Sequence, residues 1–556
     1  MDQNKNVQRV RTSFQDLPVD IYENGGVICV KLSRRVTDSE FRQYVDTAKR
    51  LRMRFDEASR AWCADASALS GVAYYRNFCY VDKSLADGQT LEPLLCYEIE
   101  TWRRDGQTPK KEVVSVCHFK DEGDRWRIPR GLARRVAEVA GIELPDFAPV
   151  LKEPDDFQGL REYQAEVFKS VAATLRKTGA ATIQMATGAG KSFLAGALAR
   201  WLNENGYVVF LVAMQKDLVL QLKEHAERAG AKNVVAVTVQ TLHRRLQDSN
   251  GDGEENGLDE EDREVLEYMD DYSDFDEESL IRLFKQRNVA VIMDEVHHVP
   301  ARTARTIMME AGDGWALRIG LSATPWRNDG RDMDIYAYCG EVVEPRISSS
   351  YLIERGYAVP VEIRVLEAPV CEAAAELSKA MARNRDIRGS SGFASLRKAV
   401  VECDKRNEFI ARLAAEAEKP ALVITQLVKH AEMLGRSMRG AGLKAAVVTG
   451  VVKAEERKKI YEALKRGEVD VIVATTLADE GLDLPPLRTL IIAVGGRSRT
   501  RALQRIGRLV RPYPGKTKAV AIELFDDYIY FRDHLRQRLR LYATEPHWKI
   551  ISDVKI

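Results

Sequence analysis

Three short clusters have the residue types and spacing to do chemistry on phosphate. The first is ATGAGKS, residues 186–192. Gly188 and Gly190 permit a tight turn that aims backbone N–H groups at one spot. Lys191 can reach β- and γ-phosphates, and the Ser192 hydroxyl can ligate Mg²⁺. Thr187 and Ala189 complete the loop. The full pattern would place a first glycine where Met185 stands, so the match is G-x-G-K-S. The second cluster is Asp294–Glu295, at the end of the apolar run 289–293. One carboxylate suits Mg²⁺, and the other can orient and deprotonate an attacking water. His297 and His298 follow. Adjacent histidines cannot face one ion as residues four apart on a helix do, so they are expected to link the acids to their surroundings. The third cluster is Arg508 and Arg511, three apart and on one helix face. Paired guanidinium forks suit a phosphate.

These residues need particular elements to position them. Residues 180–185, AATIQM, read as a strand that ends in the glycine loop, and a helix starts near Lys191. That helix adds its positive dipole end to the phosphate site. Buried-strand patterns recur at 207–214, 234–242, 288–293 and 317–322, with helical spacing between several of them. A second set follows at 419–434, 443–450 and 469–493. Alternating strands and helices imply parallel sheets covered on both faces.

Four motifs then stand in order: LREYQ, ATGAGKS, DEVHH and LSATP. In this order and spacing they resemble the first motor lobe of superfamily 2 helicases. By that resemblance ATP and Mg²⁺ would be bound, with Gln164 reading adenine and Arg161 nearby. Lys191 and Ser192 would hold the phosphates and metal, Asp294 the metal, and Glu295 the attacking water. Ser322 and Thr324 would link the ATP state to the nucleic-acid track. TTLADEGLDLPP, with Thr475, Thr476, Gly481 and Asp483, is similar to motif V. QRIGRLVR, with Gln504, Arg508 and Arg511, is similar to motif VI, so both arginines would act from the second lobe on the nucleotide. DEVHHVPA and SATPWRNDGR are similar to the branch of xeroderma pigmentosum group B (XPB). Arg327–Asn328–Asp329 stands where that branch carries Arg-Glu-Asp, which puts a DNA-wedging role of the tripeptide in doubt. RFDEASRAW and RIPRGLARRV resemble the damage-recognition-type domains of XPB-like and UvsW-like DNA helicases.

The expected architecture is α/β: two RecA-like parallel-sheet lobes preceded by a small α+β domain, with ATP in the cleft between lobes. Residues 1–155 would form the accessory domain, a possible DNA or damage-recognition module. Residues 156–347 would form lobe 1, residues 348–545 lobe 2, and 546–556 a tail. A thumb-like insertion is expected at about 370–404. Residues 248–278 carry 16 acids and one base, a net −15, which leaves +16 on a chain whose total is +1. That segment is an expected surface insertion, and the remainder is basic enough for a polyanion. Arg127, Arg130, Arg134 and Arg135 cluster near Trp126, which suits either nucleic-acid backbone contact or a solvated helix face with a core Trp.

The 556 residues are 45% apolar and 30% charged, as in ordinary globular proteins of several domains. Eight cysteines are scattered without a CxxC pair, so neither a zinc site nor a disulfide framework is expected. A reducing compartment fits this. No apolar run reaches membrane-spanning length and the N-terminus lacks a signal core, so a cytoplasmic, nucleoid-associated protein is expected. The expected activity is ATP-dependent DNA unwinding or duplex translocation in repair or recombination, with DNA, duplex or branched, as partner. A protein partner for the N-terminal domain stays open. The alternatives are the motor subunit of a restriction or defence complex, an RNA helicase, or a non-enzymatic nucleic-acid binder.

Overall fold

The computed structural model of the 556-residue chain describes residues 14, 16–24, 27–51, 53–56, 59–65, 71–105, 108–250, 272–297, 301–324, 331–384, 390–475, 484–495 and 499–554. Most of the acidic segment, the tripeptide Arg327–Asn328–Asp329, His298, Thr476, Gly481 and Asp483 lie outside the described residues. Two compact units form. One holds 1–183 and 192–346, the other 184–191 and 347–556.

The first unit is built on a five-stranded sheet. Its order is Ala180–Gln184, Leu317–Ser322, Val289–Met293, Val208–Ala213, Val234–Thr238. The ladders joining the last four of these strands are parallel. Val289–Met293 is fully buried on both faces, which explains a continuous apolar run in place of alternation. Its Val, Ile and Met side chains each contribute about 1.5–3 kcal/mol by burial. In open parallel sheets ligands bind beyond the carboxyl ends of the strands. The glycine loop, Asp294 and the Ser322 turn all sit at such ends.

Two antiparallel four-stranded sheets precede it. Val19–Asn24, Val27–Leu32, Ala61–Asp65 and Arg54–Asp56 pack on the helix Asp38–Arg50, around Ile28, Val30, Tyr44 and Leu51. Thr37 caps that helix reciprocally with Glu40, as a Thr-x-x-Glu sequence should. The second sheet, Val72–Tyr75, Phe78–Asp82, Arg125–Pro129 and Lys120–Glu122, shares one hydrophobic core with the parallel sheet through Val81, Ile128 and Leu132. The boundary expected at residue 155 therefore does not coincide with a break in this core.

One member of the arginine cluster is structural. Arg130 is fully buried, its guanidinium 4.0 Å from the Phe147 ring centre and donating to the Ala316 carbonyl. Arg127 pairs with Glu122 at 3.1 Å, Arg134 with Glu138 at 2.6 Å and Arg135 with Glu341 at 2.7 Å. Neither sequence alternative survives for Arg130: it faces protein, not solvent or phosphate.

The second unit is a seven-stranded sheet in the order Ala445–Val448, Val471–Thr475, Ala421–Thr425, Thr489–Ile492, Ala519–Phe525, Val361–Glu367, Trp548–Ser552, parallel throughout. The segment read as a tail thus supplies the last strand. Residues Glu372–Arg383 and Ser390–Val401 are helices that pack through Met381, Leu396 and Val400 against Tyr528. Inside the unit, Arg406 is paired with Asp526 and Arg538 with Glu523, each at distances of 2.7–2.9 Å.

The cysteines depart from expectation. Cys29–Cys63, Cys96–Cys117 and Cys371–Cys403 are disulfides. Two of these pairs are directly opposed residues of antiparallel strands. Sequence separations of 34, 21 and 32 carry no motif; strand register reveals the first two, and Cys371 and Cys403 meet where each precedes a helix.

Candidate nucleotide-binding and coupling site

The strand Ala180–Gln184 delivers the chain to the glycine loop, and the helix Lys191–Glu204 leaves it. Gly188 and Gly190 have φ of 87° and 80°, a conformation side-chain-bearing residues rarely adopt. The Ala189 amide closes the turn on the Ala186 carbonyl at 3.1 Å. Lys191 opens the helix, and its Nζ donates to the Met185 carbonyl at 3.2 Å. The ammonium is thereby folded back over its own loop, where outer phosphates would lie.

The loop segment 184–191 belongs to the second compact unit. Within that unit it meets the helix Arg499–Leu509 and the residues after it. A Cβ added at Gly188 would lie 3.1 Å from Arg511 Cγ. A Cβ at Gly507 would lie 2.9 Å from Thr187 Cβ. Gly507 was passed over as a site residue. Its signal was available, since glycine inside a helix costs about 1 kcal/mol against alanine and calls for a packing reason. Burial lowers the pKa of the Arg511 guanidinium below its ordinary value. Arg508 lies near the end of the same helix. Gln504 is on it too, with its side chain outside the described residues.

In the first unit, Asp294 follows the buried strand Val289–Met293, and its amide donates to the Val212 carbonyl at 2.8 Å. Asp294 Oδ1 accepts the Glu295 amide at 3.0 Å. Glu295 is held at φ 45°, which costs a non-glycine residue roughly 1–3 kcal/mol. The turn brings His297 under the neighbouring strand. His297 Nδ1 lies 2.7 Å from Ser322 Oγ, and Nε2 lies 3.3 Å from Thr324 Oγ1. Ser322 Oγ also accepts the Thr324 amide at 2.8 Å, and Glu295 Oε2 is 3.6 Å from His297 Nδ1. His297, Ser322 and Thr324 are buried. One imidazole, two residues beyond Glu295, thus bridges Ser322 and Thr324.

Gln164 is buried, and its Oε1 accepts the Arg161 amide at 2.9 Å, capping the helix Glu162–Thr178. Arg161 Nη1 donates to the Tyr163 hydroxyl at 3.2 Å. Thr475 ends the buried strand Val471–Thr475. Each in its own unit, the loop fits nucleotide phosphates and the acids fit Mg²⁺. Two left-handed glycines leave a backbone cradle, Lys191 supplies the cation, and hydroxyl and carboxylate oxygens are hard donors suited to Mg²⁺.

A glycine loop at one strand end, an acid pair at another, and two sheets parallel in every assigned ladder define a two-lobed, nucleoside-triphosphate-hydrolysing motor enzyme. The type III restriction enzyme res subunit family matches residues 158–327, and the helicase conserved C-terminal domain matches 404–513. The chain is 26% identical over 472 residues to a Sulfolobus islandicus filamentous virus protein whose name, helicase 22, is provisional; the match covers 82% of this chain and 79% of that one. It is 30% identical over 239 residues to the DNA 3'-5' helicase XPB of Kineococcus radiotolerans, covering 42% of this chain and 39% of that one. It is 24% identical over 283 residues to the ATP-dependent DNA helicase uvsW of Enterobacteria phage T4, covering 47% and 54%. The chain thus spans about two fifths of that XPB and half of uvsW. Both matched domains and these relatives make the chain similar to superfamily 2 helicases, among them XPB and UvsW.

Among the described residues no helix is long and apolar enough to cross a membrane.

Proposed function

We propose that the chain is an ATP-driven motor on DNA, a helicase or duplex translocase acting in repair or recombination. The observation that carries the reading is His297, buried two residues beyond Glu295 and bonded to Ser322 and Thr324. A hydrolase that only turned over nucleotide would not need the turn after its water-orienting carboxylate bonded to a neighbouring strand end. Coupling to a track does need it. Lys191 and the loop amides of residues 187–191 bind the phosphates. Gln164 and Arg161 receive the adenine, and Gln504 with Gly481 and Asp483 completes the nucleotide contacts. Ser192 and Asp294 would hold Mg²⁺, which when bound neutralises phosphate charge. Glu295 accepts the proton of the attacking water. Arg508 and Arg511 stabilise charge on the phosphoryl group in flight. DNA is favoured over RNA by the names of the XPB and uvsW relatives.

A second reading is the motor subunit of a restriction or defence assembly, favoured by the res-subunit match over residues 158–327. One experiment ranks these readings. Steady-state ATP hydrolysis is measured with duplex, forked and single-stranded DNA and with RNA in parallel. Stimulation by forked or duplex DNA is expected. Hydrolysis indifferent to every nucleic acid would end the motor reading, and stimulation by RNA alone would replace DNA as the track.

A further inference from the structure

The segment after the helix Arg499–Leu509 is pinned at successive points within the second unit. The Val510 carbonyl accepts the Val359 amide at 2.8 Å, and the Tyr513 carbonyl accepts the Lys516 amide at 2.9 Å. The Gly515 carbonyl accepts Arg488 Nη2 at 3.0 Å. The remaining tie is a side chain. Lys516 Nζ donates to the Arg511 carbonyl at 3.0 Å and to the Pro485 carbonyl at 3.2 Å. Pro485 lies two positions after Asp483. One ammonium thus ties the backbone of Arg511 to the chain that leaves the segment similar to motif V.

Lys516 is 5% exposed. Both of its partners are neutral carbonyls, and the charges facing it are cations. Arg488 comes from the approach to the strand Thr489–Ile492, and Arg511 from the turn itself. Arg488 has an acid of its own, Glu418 at 2.7 Å. Burial first, and then these two guanidinium groups, push the Lys516 pKa down to about 8. Desolvating an ammonium without an acid is costly, and closing a turn does not require it. What sets this turn apart is its neighbour. Arg511 packs at the glycine loop, where a Cβ on Gly188 would meet its Cγ at 3.1 Å.

We propose that Lys516 is a positioning residue for ATP hydrolysis, holding the Arg511 backbone so that its guanidinium faces phosphates on the glycine loop. The proposal rests on the ATP-driven reading of the chain and adds to it a residue that touches no substrate. Bonds from an ammonium are charge-assisted and roughly twice as strong as those from a neutral amine. Loss of the proton therefore slackens the clamp and removes a positive charge from beside Arg511.

The test uses the full chain, binding of a fluorescent ATP analogue, and steady-state ATP hydrolysis from neutral to alkaline pH. In the parent, kcat/KM should fall through a pH of about 8, to about a tenth one unit higher. Lys516→Arg keeps its charge throughout. It should retain most of the parent rate at neutral pH and carry that rate past the parent's alkaline limb. Lys516→Met should lower kcat about 10²-fold, the cost of a misplacement near 1 Å, with nucleotide affinity little changed.

Unchanged kcat in Lys516→Met, whatever its melting temperature, would overturn the proposal and leave a structural lysine. Nucleotide affinity falling in step with kcat would overturn it in favour of a binding role. If Lys516→Met melts too low to assay, the two remaining pH profiles decide. An alkaline limb unmoved in Lys516→Arg would belong to another group, and the clamp would fall. A parent chain that hydrolyses no ATP would instead sink the motor reading itself.

Discussion

His297 Nδ1 lies 2.7 Å from Ser322 Oγ, joining the turn after one strand to the end of its neighbour. Both groups are buried, so the contact is made in a low-dielectric setting where an unmade hydrogen bond costs about 1–3 kcal/mol. His297→Ala should therefore uncouple before it inactivates. Basal ATP hydrolysis should fall by less than tenfold, while stimulation by DNA should largely vanish. Parallel hydrolysis assays with and without forked DNA check this. Retained stimulation would show that the track signal bypasses the imidazole.

Lys191→Ala should abolish ATP turnover and leave the fold intact. Its Nζ donates to the Met185 carbonyl of its own loop, and the residue is only half-buried. Far-ultraviolet circular dichroism alongside hydrolysis separates the two effects. Near-normal turnover would remove the loop from the phosphate site.

Arg508→Ala should still bind ATP yet hydrolyse it about 10³–10⁵ times more slowly, the range expected when an arginine finger is lost. Arg508→Lys should recover little, because an ammonium keeps charge and loses the planar fork. Binding of a fluorescent nucleotide and steady-state hydrolysis make the comparison. A fast alanine variant would place Arg508 outside the reaction.

The second unit should lose stability in mild acid. His430 is fully buried, with Nδ1 2.6 Å from Thr425 Oγ1 and Nε2 3.0 Å from Asn407 Oδ1. Burial, with the Arg406 charge beside it, pushes its pKa down to about 3. The unfolded imidazole takes a proton near pH 6.5 and the folded one does not. Below 6.5 the unfolded state binds more protons, so stability falls by about 1.4 kcal/mol per unit until roughly pH 3. Hydrogen exchange of the strand Ala421–Thr425 from pH 7 to 5 should register this, and His430→Gln should flatten it. An unchanged slope in that variant would shift the cause to another group.

The legible parts of this protein were local ones. Gly188, Lys191, Asp294 and Arg508 sit in short segments whose periodicity fixes their surroundings, so strand ends and helix starts could be read directly. Ser322 and Thr324 were legible only because a motif names them. What stayed hidden depends on register and long-range packing. Asp334 meets His118 across 216 positions, and no spacing rule reaches that far. Arg130 looks like its exposed neighbours in sequence, yet Gly131 brings that turn against the Tyr336 and Ala337 carbonyls and encloses it. The three disulfides stayed hidden because nothing in their spacing announces which strands or helix starts lie side by side. Tail and strand look alike at 548–552 until the neighbouring strand Val361–Glu367 is in place.

The left-handed backbone at Glu295 sets the two demands on this chain against each other. Asparagine and glycine accept that conformation with little penalty. Glu295→Asn or Glu295→Gly should therefore yield a protein that resists urea better than the parent while hydrolysing almost nothing. A screen for thermal robustness alone would drive this position away from glutamate, and with it would go the carboxylate we propose to activate water.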